Sequence, residues 1–225
     1  MMMVKKSASR CVLIGDIVDS RGAPDRSALH RAVEAALLAV EDVVPSLGGL
    51  RVTVGDEFQG SYAILGEAVD AALRVRLALL PDVDTRIGIG RGAVTTLDAD
   101  RGIEDGPGWW AARAAVDAAE EAAARAATRH LRTVYRVAPE DLGTGPAVDA
   151  ATVDAVNAAL LCRDHLVGSC SDRSIRLLRG LMTPHTTQGE LAALEGISPS
   201  AVSQRVRADG LGAGRAAHDL LRGMP

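Results

Sequence analysis

Apolar runs of strand length alternate with stretches of helical period along the first 140 residues. The run RCVLIGD, residues 10–16, is short, apolar and ended by Gly-Asp, which is typical of a buried strand. From Asp25, a natural helix cap, apolar residues recur at helical spacing to about Val43. The chain therefore opens with a predicted strand and an amphipathic helix.

Six more elements follow up to residue 138. LRVTVG and FQGSYAIL predict a hairpin around Asp56 and Glu57, and GEAVDAALRVRLALL predicts a helix stopped by Pro81. DTRIGIGRGAV predicts a strand whose glycines let another group approach its backbone. An Ala-rich helix, GPGWWAARAAVDAAEEAAARAA, and a strand, HLRTVYRVA, complete the series. The order β-α-β-β-α-β, followed by α-β, predicts an α+β fold of the ferredoxin-like type, with helices on one face of the sheet.

The pattern changes after residue 138. The segment APEDLGTGPAVDAA, residues 138–151, is rich in Pro, Gly and Ala, and only helical periods follow it. We therefore predict a ferredoxin-like domain at 1–140, a linker at 141–150 and an all-α domain at 151–225.

The segment TQGELAALEGISPSAVSQRVRADG, residues 187–210, has the spacing of a helix-turn-helix. Ala192 is small where two helices cross closely, and Gly196 can take the left-handed turn between them. Ser198 is a natural N-cap and Pro199 a natural first-turn residue of the second helix. The apolar positions that pin this helix to a core are Ile197, Val202 and Val206.

Polar side chains on this second helix are of the kind that contact DNA bases and phosphates. Residues 171–225 carry seven Arg against five acids, a surplus of +2 on a chain of net charge −4, so tight DNA binding would need a dimer. The alternative is a helical hairpin that only packs or dimerises. The predicted DNA-binding residues are Ser200, Ser203, Gln204, Arg205 and Arg207.

Composition narrows the class of protein. Aromatic residues make up only 2% of the 225 residues, so the core is built from aliphatic side chains. The net charge excludes an overall basic field for nucleic acid, and three cysteines without metal-type spacing indicate reduced thiols. No apolar run reaches the roughly 18 to 20 residues that span a bilayer. We expect a cytoplasmic protein without a membrane segment.

Asp16 and Asp56 each follow a glycine at the end of a predicted strand. In a split βαβ sheet the first strand lies beside the central hairpin, so the two carboxylates can meet at one sheet edge. Two carboxylates with a backbone carbonyl and ligand phosphates suit Mg²⁺ or Mn²⁺. The alternative is that each aspartate caps its own turn and that Glu57 is solvated.

Four segments, in chain order, resemble class III nucleotidyl cyclases: VLIGDIVDS, VTVGDEFQG, RIGIGRGAV and GPGWWAARAAV. Over nearly the whole chain the sequence is more similar to the SatD family, whose GDI…SR…DR, GDEFQG and DGP…AR segments recur here. Actinobacterial members of that family are often described as sigma-factor-like for their helix-turn-helix. The chain thus resembles a SatD protein with a cyclase-like first domain.

The resemblance implies a nucleotide site. Asp16 and Asp56 match the cyclase metal ligands, and the Ile17 carbonyl would be a further ligand to Mg²⁺ or Mn²⁺. Arg113 matches the arginine that stabilises the transition-state phosphates, and it would be supplied in trans across a homodimer.

The chain departs from the cyclases at three places. Val52 replaces the purine-reading lysine, Trp109 replaces the catalytic asparagine, and Asp19-Ser20-Arg21 replaces the phosphate-loop Gly-Phe-Thr. Ser20 and Arg21 are candidates for a different phosphate contact, or Arg21 pairs with a neighbouring aspartate. The tryptophan itself can stack on a base or pack in a core.

Together these features favour a DNA-binding transcriptional regulator whose cyclase-like domain binds a purine nucleotide and metal or serves for dimerisation. The first alternative is an active cyclase that uses ATP or GTP by two-metal catalysis. The second is a non-catalytic adaptor whose first domain only dimerises.

Overall fold

The computed structural model describes residues 9–99, 101–145 and 147–225. The strands are β1 (Ser9–Ile17), β2 (Arg51–Val52), β3 (Phe58–Tyr62), β4 (Thr85–Ala93), β5 (Thr95–Asp98), β6 (Ile103–Asp105) and β7 (Thr133–Val137). The helices are α1 (Arg26–Glu41), α2 (Leu65–Leu79), α3 (Pro107–Ala123), α4 (Ala150–Ser169), α5 (Asp172–Leu181), α6 (Gln188–Glu195), α7 (Pro199–Ala208) and α8 (Leu211–Leu221).

Five strands form one mixed sheet in the order β2-β3-β1-β4-β7. All neighbouring pairs are antiparallel except β4 and β7, which are parallel. The predicted α+β class is confirmed. The helix expected from Asp25 is α1, and the Asp25 carboxylate accepts a hydrogen bond of 2.8 Å from the backbone N–H of Ala28.

A short hairpin, β5 and β6, was not predicted. It stands apart from the main sheet, and its residues are exposed or half-buried throughout. Because neither face of this hairpin is buried, its sequence carries no alternation of apolar and polar residues that could reveal it.

Helices cover both faces of the sheet, so the prediction of helices on one face is wrong. Along β1, Cys11 and Leu13 belong to a core shared with α1 and α2, whereas Val12 and Ile14 pack with residues of α3 on the opposite face. Successive strand residues point to opposite faces. The central run of β1, residues 11–14, is apolar at every position because both faces of the strand are buried there.

The glycines of β4 explain how α3 reaches the sheet. A Cβ atom added to Gly88 would lie 2.2 Å from the backbone oxygen of Ala112, and one added to Gly90 would lie 2.2 Å from that of Gly108. The close approach expected from the glycine-rich sequence is therefore made by a helix backbone.

The helices after residue 149 rest directly on the sheet half. Val156 and Leu160 of α4 belong to the same core as α1 and α2. Leu73 and Leu77 of α2 belong to a second core together with residues of α5, α6 and α7. The division at 141–150 into two domains stays a prediction.

A buried ionic network also joins the two halves. Asp164 of α4 is fully buried and accepts hydrogen bonds from the backbone N–H groups of Arg132 (2.8 Å) and Thr133 (2.6 Å). Arg76 of α2 lies 3.3 Å from Asp164 and 2.7 Å from Asp84. Three separate elements, α2, α4 and the start of β7, therefore meet at one carboxylate.

None of the described helices has the length and apolar character needed to cross a membrane.

Candidate functional site

Asp16 and Asp56 lie at one edge of the sheet, here called the acidic edge, where β1 extends beyond its last pair with β3. Pairing between these strands ends at Gly15 and Phe58, so Asp16 lies beside the turn that contains Asp56. Asp16 faces α3, on the same side as Val12 and Ile14. There Arg86 of β4 has its Nη1 atom 3.1 Å from the Asp16 Oδ2 atom.

The surroundings of Asp16 disfavour its charged form. Burial raises the pKa of the Asp16 carboxyl above its ordinary value, Arg86 opposes the rise, and the Asp56 and Glu120 carboxylates add to it. The structure thus brings the two aspartates within electrostatic reach of one another. The Asp16 Oδ1 atom is buried and has no hydrogen-bond partner within the described part of the chain.

These residues fit a divalent cation only if its other ligands come from elsewhere. No group of three or more His, Cys, Asp and Glu side chains that could hold a metal is found in residues 9–99, 101–145 and 147–225. Mg²⁺ typically takes one or two carboxylates and completes its shell with water and substrate phosphates. An unpartnered buried oxygen beside a second carboxylate is consistent with that kind of site.

Glu57, which the alternative interpretation of the hairpin tip leaves to solvent, is half-buried and has a partner within the chain. Its carboxylate forms an ion pair with Nη2 of Arg113 on α3. Arg113 therefore lies beside the hairpin tip of its own chain. Trp109, one helical turn earlier, is buried, and its neighbour Trp110 is exposed with its Nε1 donating to Asp105 at 2.9 Å.

The loop after β1 places its two candidates differently. Ser20 is buried and Arg21 is exposed in a single helical turn, Ser20–Gly22, that follows Asp19 in a left-handed conformation (φ 55°). Within the described residues, Arg21 makes no ion pair with a neighbouring aspartate.

Two residues of α1 that sequence reasoning missed lie beside the turn that contains Asp56. A small cavity of about 30 Å³ is lined by Ile17, Asp56, Arg26 and His30, among others. That volume suits a single water-sized species. Arg26 and His30 lie four positions apart on one helix face, a spacing that could have identified them once the facing turn was suspected.

The segment around Gly196 has the local geometry that the sequence predicts. Gly196 ends α6 in a left-handed conformation (φ 64°), and the Ser198 hydroxyl accepts a hydrogen bond of 3.2 Å from the backbone N–H of Ala201. Ala192 and Val202 are buried where α6 and α7 cross, and Ile197 and Val206 pack against the same core.

The predicted DNA-contacting side chains differ in solvent exposure and in ion pairing. Ser200, Gln204 and Arg207 are exposed, whereas Ser203 and Arg205 are half-buried. The Arg205 guanidinium lies 3.4 Å from the carboxylate of Asp209 on the same helix.

Most of the local arginine surplus is neutralised by ion pairs. Arg173 and Arg176 share Glu195, while Arg215 pairs with Asp219. Within the described residues, Arg207 makes no ion pair, so it is the arginine of α7 that is available to a phosphate.

Comparison with known proteins identifies the family. A family model for the SatD family matches residues 11–214. The chain belongs to the SatD family. No curated protein matches it.

This SatD-family chain is also similar to two solved cyclase structures over part of its length. The first is the monomeric guanylyl cyclase domain of the RhoGC fusion protein from the aquatic fungus Blastocladiella emersonii, with 17% identity, a TM-score of 0.40, and coverage of 50% of this chain and 77% of that one. The second is a bacterial light-regulated adenylyl cyclase, with 14% identity, a TM-score of 0.42, and coverage of 59% and 44%.

The predicted residues of this SatD-family chain fall into two groups. Asp16, Ile17 and Asp56 meet at the acidic edge, and Arg113 reaches the same hairpin through Glu57. The residues of α7 lie on the helical half, which packs on α2.

Proposed function

We propose that this SatD-family protein binds a purine nucleoside triphosphate together with Mg²⁺ or Mn²⁺ at the acidic edge. The observation that carries the proposal is the buried, unpartnered Oδ1 atom of Asp16 beside a second carboxylate. A buried acceptor without a partner costs about 1–3 kcal/mol, and unusual titratable groups of this kind concentrate at functional sites.

Different residues at the acidic edge would bind the cation and the phosphates. Asp16, Asp56 and the Ile17 carbonyl would hold the cation, which when bound neutralises and bridges phosphate oxygens. The phosphates would be contacted by residues of the loop after β1 and the start of α1: Ser20, Arg21, Arg26 and His30.

Binding is favoured over turnover by what surrounds Arg113. The Glu57 carboxylate neutralises this guanidinium within the chain, and the buried Trp109 stands where cyclases have asparagine. We therefore propose a nucleotide-sensing site, with cyclase activity toward ATP or GTP as the alternative. Intact nucleotide after long incubation with stoichiometric protein and Mn²⁺ would exclude that alternative.

Thermal unfolding tests the nucleotide site. With ATP or GTP and Mn²⁺ at about 100 times the dissociation constant, the wild type should gain about 2.7 kcal/mol, which is roughly 5–10 °C for a chain of this size. Asp16→Asn should lose the part of the shift that requires Mn²⁺. Asp154→Asn, an exposed carboxylate on α4, should keep it. No shift of the wild type with either nucleotide would contradict the proposal.

DNA binding by α7 is the second candidate function. It is favoured by the α6–Gly196–α7 geometry, which leaves Ser200, Gln204 and Arg207 exposed on one helix. We propose that residues 151–225 act as a sigma-factor-like helix-turn-helix domain of a transcriptional regulator, and that residues 1–140 act as its ferredoxin-like, cyclase-like sensor. A cytoplasmic homodimer would supply two such helices.

Binding to a genomic DNA pool tests this second function. Arg207→Ala should weaken binding to all sequences and lower the slope of log affinity against log salt by about one. Arg176→Ala is the matched control, because that exposed arginine is already paired with Glu195 at 2.7 Å. The absence of salt-sensitive binding by the wild type would leave the dimerising adaptor as the better account of this half.

A further inference from the structure

A second polar cavity lies on the α3 face of the sheet, away from the acidic edge. It has a volume of about 210 Å³ and lies between β3, α3 and the β5–β6 hairpin. Gln59 and Ser61 of β3, Glu104 of β6, Trp109 of α3 and Arg51 of β2 line it. At about 30 Å³ for each water molecule, this space has room for roughly seven waters or one small organic molecule.

Two lining residues carry polar atoms without partners. Trp109 is 8% exposed and Ser61 is 4% exposed. Neither the Trp109 Nε1 atom nor the Ser61 Oγ atom has a hydrogen-bond partner in the part of the chain that the structure describes. Trp110 differs, because its Nε1 donates to Asp105 at 2.9 Å. Because Trp109 and Ser61 both line the cavity, a molecule bound there can supply the missing partners.

The two charged groups of the walls, Glu104 and Arg51, are opposite in sign, and both already make hydrogen bonds. Glu104 lies 3.2 Å from the guanidinium of Arg10. The guanidinium of Arg51 donates to the carbonyl oxygens of Gly48, Gly49 and Gly102 at 2.7–3.1 Å. Within the described residues Arg51 makes no ion pair, but an anion that approached it would also face the Glu104 carboxylate, so the walls offer a phosphate or carboxylate no net attraction. The cavity therefore suits an uncharged ligand.

The hydrogen-bonding capacity of the walls defines that ligand further. An indole N–H only donates, a carboxylate only accepts, and a hydroxyl or an amide side chain can do both. A matching ligand must offer an acceptor to Trp109 and a donor to Glu104 within a small space. A carbonyl group beside an N–H group, the lactam edge, combines the two.

We propose that this cavity binds the lactam edge of a nucleobase such as hypoxanthine, guanine or uracil. Trp109 and Ser61 donate to the carbonyl oxygen, and Glu104 accepts from the adjacent N–H. Adenine has no carbonyl group and is disfavoured. The inference does not depend on the proposed cation site, because neither Asp16 nor Asp56 lines this cavity. The base can arrive as a free nucleoside or as part of a nucleotide.

Calorimetric titration with inosine and adenosine tests the proposal, since these nucleosides differ only at the edge in question. Without divalent cation, the full-length protein should bind inosine at least tenfold more tightly than adenosine. Trp109→Phe removes the indole donor and should weaken inosine binding by about tenfold, because a buried acceptor loses its partner. Trp110→Phe is the matched control and should leave the binding unchanged.

Ser61→Ala is a smaller change in the same cavity and should also weaken inosine binding. It tests the proposal if Trp109→Phe does not fold. Equal affinity for the two nucleosides, or no heat of binding with either, would overturn the proposal and leave a cavity filled by water only. Asp16→Asn separates the two sites. This variant should still bind inosine, but Mn²⁺ should no longer change its affinity for inosine triphosphate. Loss of inosine binding in this variant would overturn the independence claimed for the cavity.

Discussion

At the scale of one residue, the two carboxylate oxygens of Asp16 have different roles. One forms a structural ion pair, and the other is a candidate ligand atom. Its Oδ2 atom lies 3.1 Å from Arg86, while its Oδ1 atom is buried without a partner among the described residues. The ion pair orients the side chain, and the second oxygen stays without a partner in the part of the chain that the structure describes. Such an arrangement costs stability in the absence of a ligand.

Asp16→Asn should therefore stabilise the ligand-free protein by about 1 kcal/mol, because it removes a half-buried charge that Arg86 compensates only in part. Arg86 keeps a partner in the variant, since Glu120 lies 3.2 Å from it. Urea unfolding at neutral pH measures the change, with Asp154→Asn as the control. A loss of stability would mean that the ion pair outweighs the unpartnered oxygen.

At the scale of one element, the β4 strand is built to lie under a helix. Its alternate glycines line the face that α3 covers, and an added Cβ at Gly90 would lie 2.2 Å from Gly108 and 2.3 Å from Ala112. Backbone atoms cannot move aside as a flexible side chain would, so the whole helix would have to shift.

Gly90→Ala should thus cost about 3 kcal/mol of the free energy of unfolding, as overpacking a close contact does. Gly145→Ala is the control, because nothing lies within 4 Å of an added Cβ there, and it should change stability by less than about 0.5 kcal/mol. The two variants are compared by urea unfolding. A neutral effect of Gly90→Ala would contradict the packing described for α3.

Two glycines of the α6 region should respond to alanine with opposite signs. Gly196 has a positive φ of 64° and open space around its Cβ position, so Gly196→Ala should cost about 1–2 kcal/mol of backbone strain alone. Gly189 lies inside α6 with only Thr187 Oγ1 near its Cβ position, at 3.8 Å, so Gly189→Ala should gain about 0.5–1 kcal/mol. Thermal unfolding of the two variants checks the pair, and equal signs would contradict the left-handed turn.

At the scale of the whole molecule, buried charges connect the helical half to α2. His218 of α8 is almost fully buried, and its Nε2 atom lies 3.0 Å from Asp70 of α2. Arg222 lies 3.0 Å from the same aspartate. Burial lowers the pKa of His218 below 6.5, the Asp70 hydrogen bond opposes this, and Arg163 and Arg222 lower it further.

Stability should therefore fall as the pH drops below about 6.5. The unfolded chain binds a proton on His218 at a higher pH than the folded chain does, so acid favours the unfolded state. The loss cannot exceed about 1.4 kcal/mol for each pH unit from one group. Urea unfolding at pH 7 and pH 5 measures it. His218→Gln should flatten the dependence.

Asp84 should make stability depend on pH in a second, more acidic range. Burial alone would raise the pKa of this carboxyl, but Arg76 and Arg132 together hold it below 3.8. Its contribution to stability is present above about pH 3.8 and is lost as the pH falls further. Asp84→Asn should cost about 2 kcal/mol at neutral pH, because hydrogen bonds to a charged group are lost, and should weaken the acid dependence below pH 4.

Much of the fold could be predicted because its signals are local. The caps at Asp25 and Ser198, the turn at Gly196 and the alternation of strands and helices each depend on a few neighbouring residues. The candidate site was predictable only in part. Asp16 and Asp56 stood out by their place after strands, whereas Arg26 and His30 sit on an ordinary exposed helix face until the fold sets that face beside the hairpin tip.

By itself, then, the sequence determined most of the elements, their order and the family, since periodicity, capping and turn chemistry act over a few residues. The tertiary structure alone decided which face each helix covers and which charges remain free. Arg113 meets Glu57 across 56 positions and Arg86 meets Asp16 across 70, so neither pairing can be read from spacing. These long-range ion pairs decide which charged groups already have a partner within the fold. Asp16 Oδ1 and Arg207 have none among the described residues and are available to a ligand.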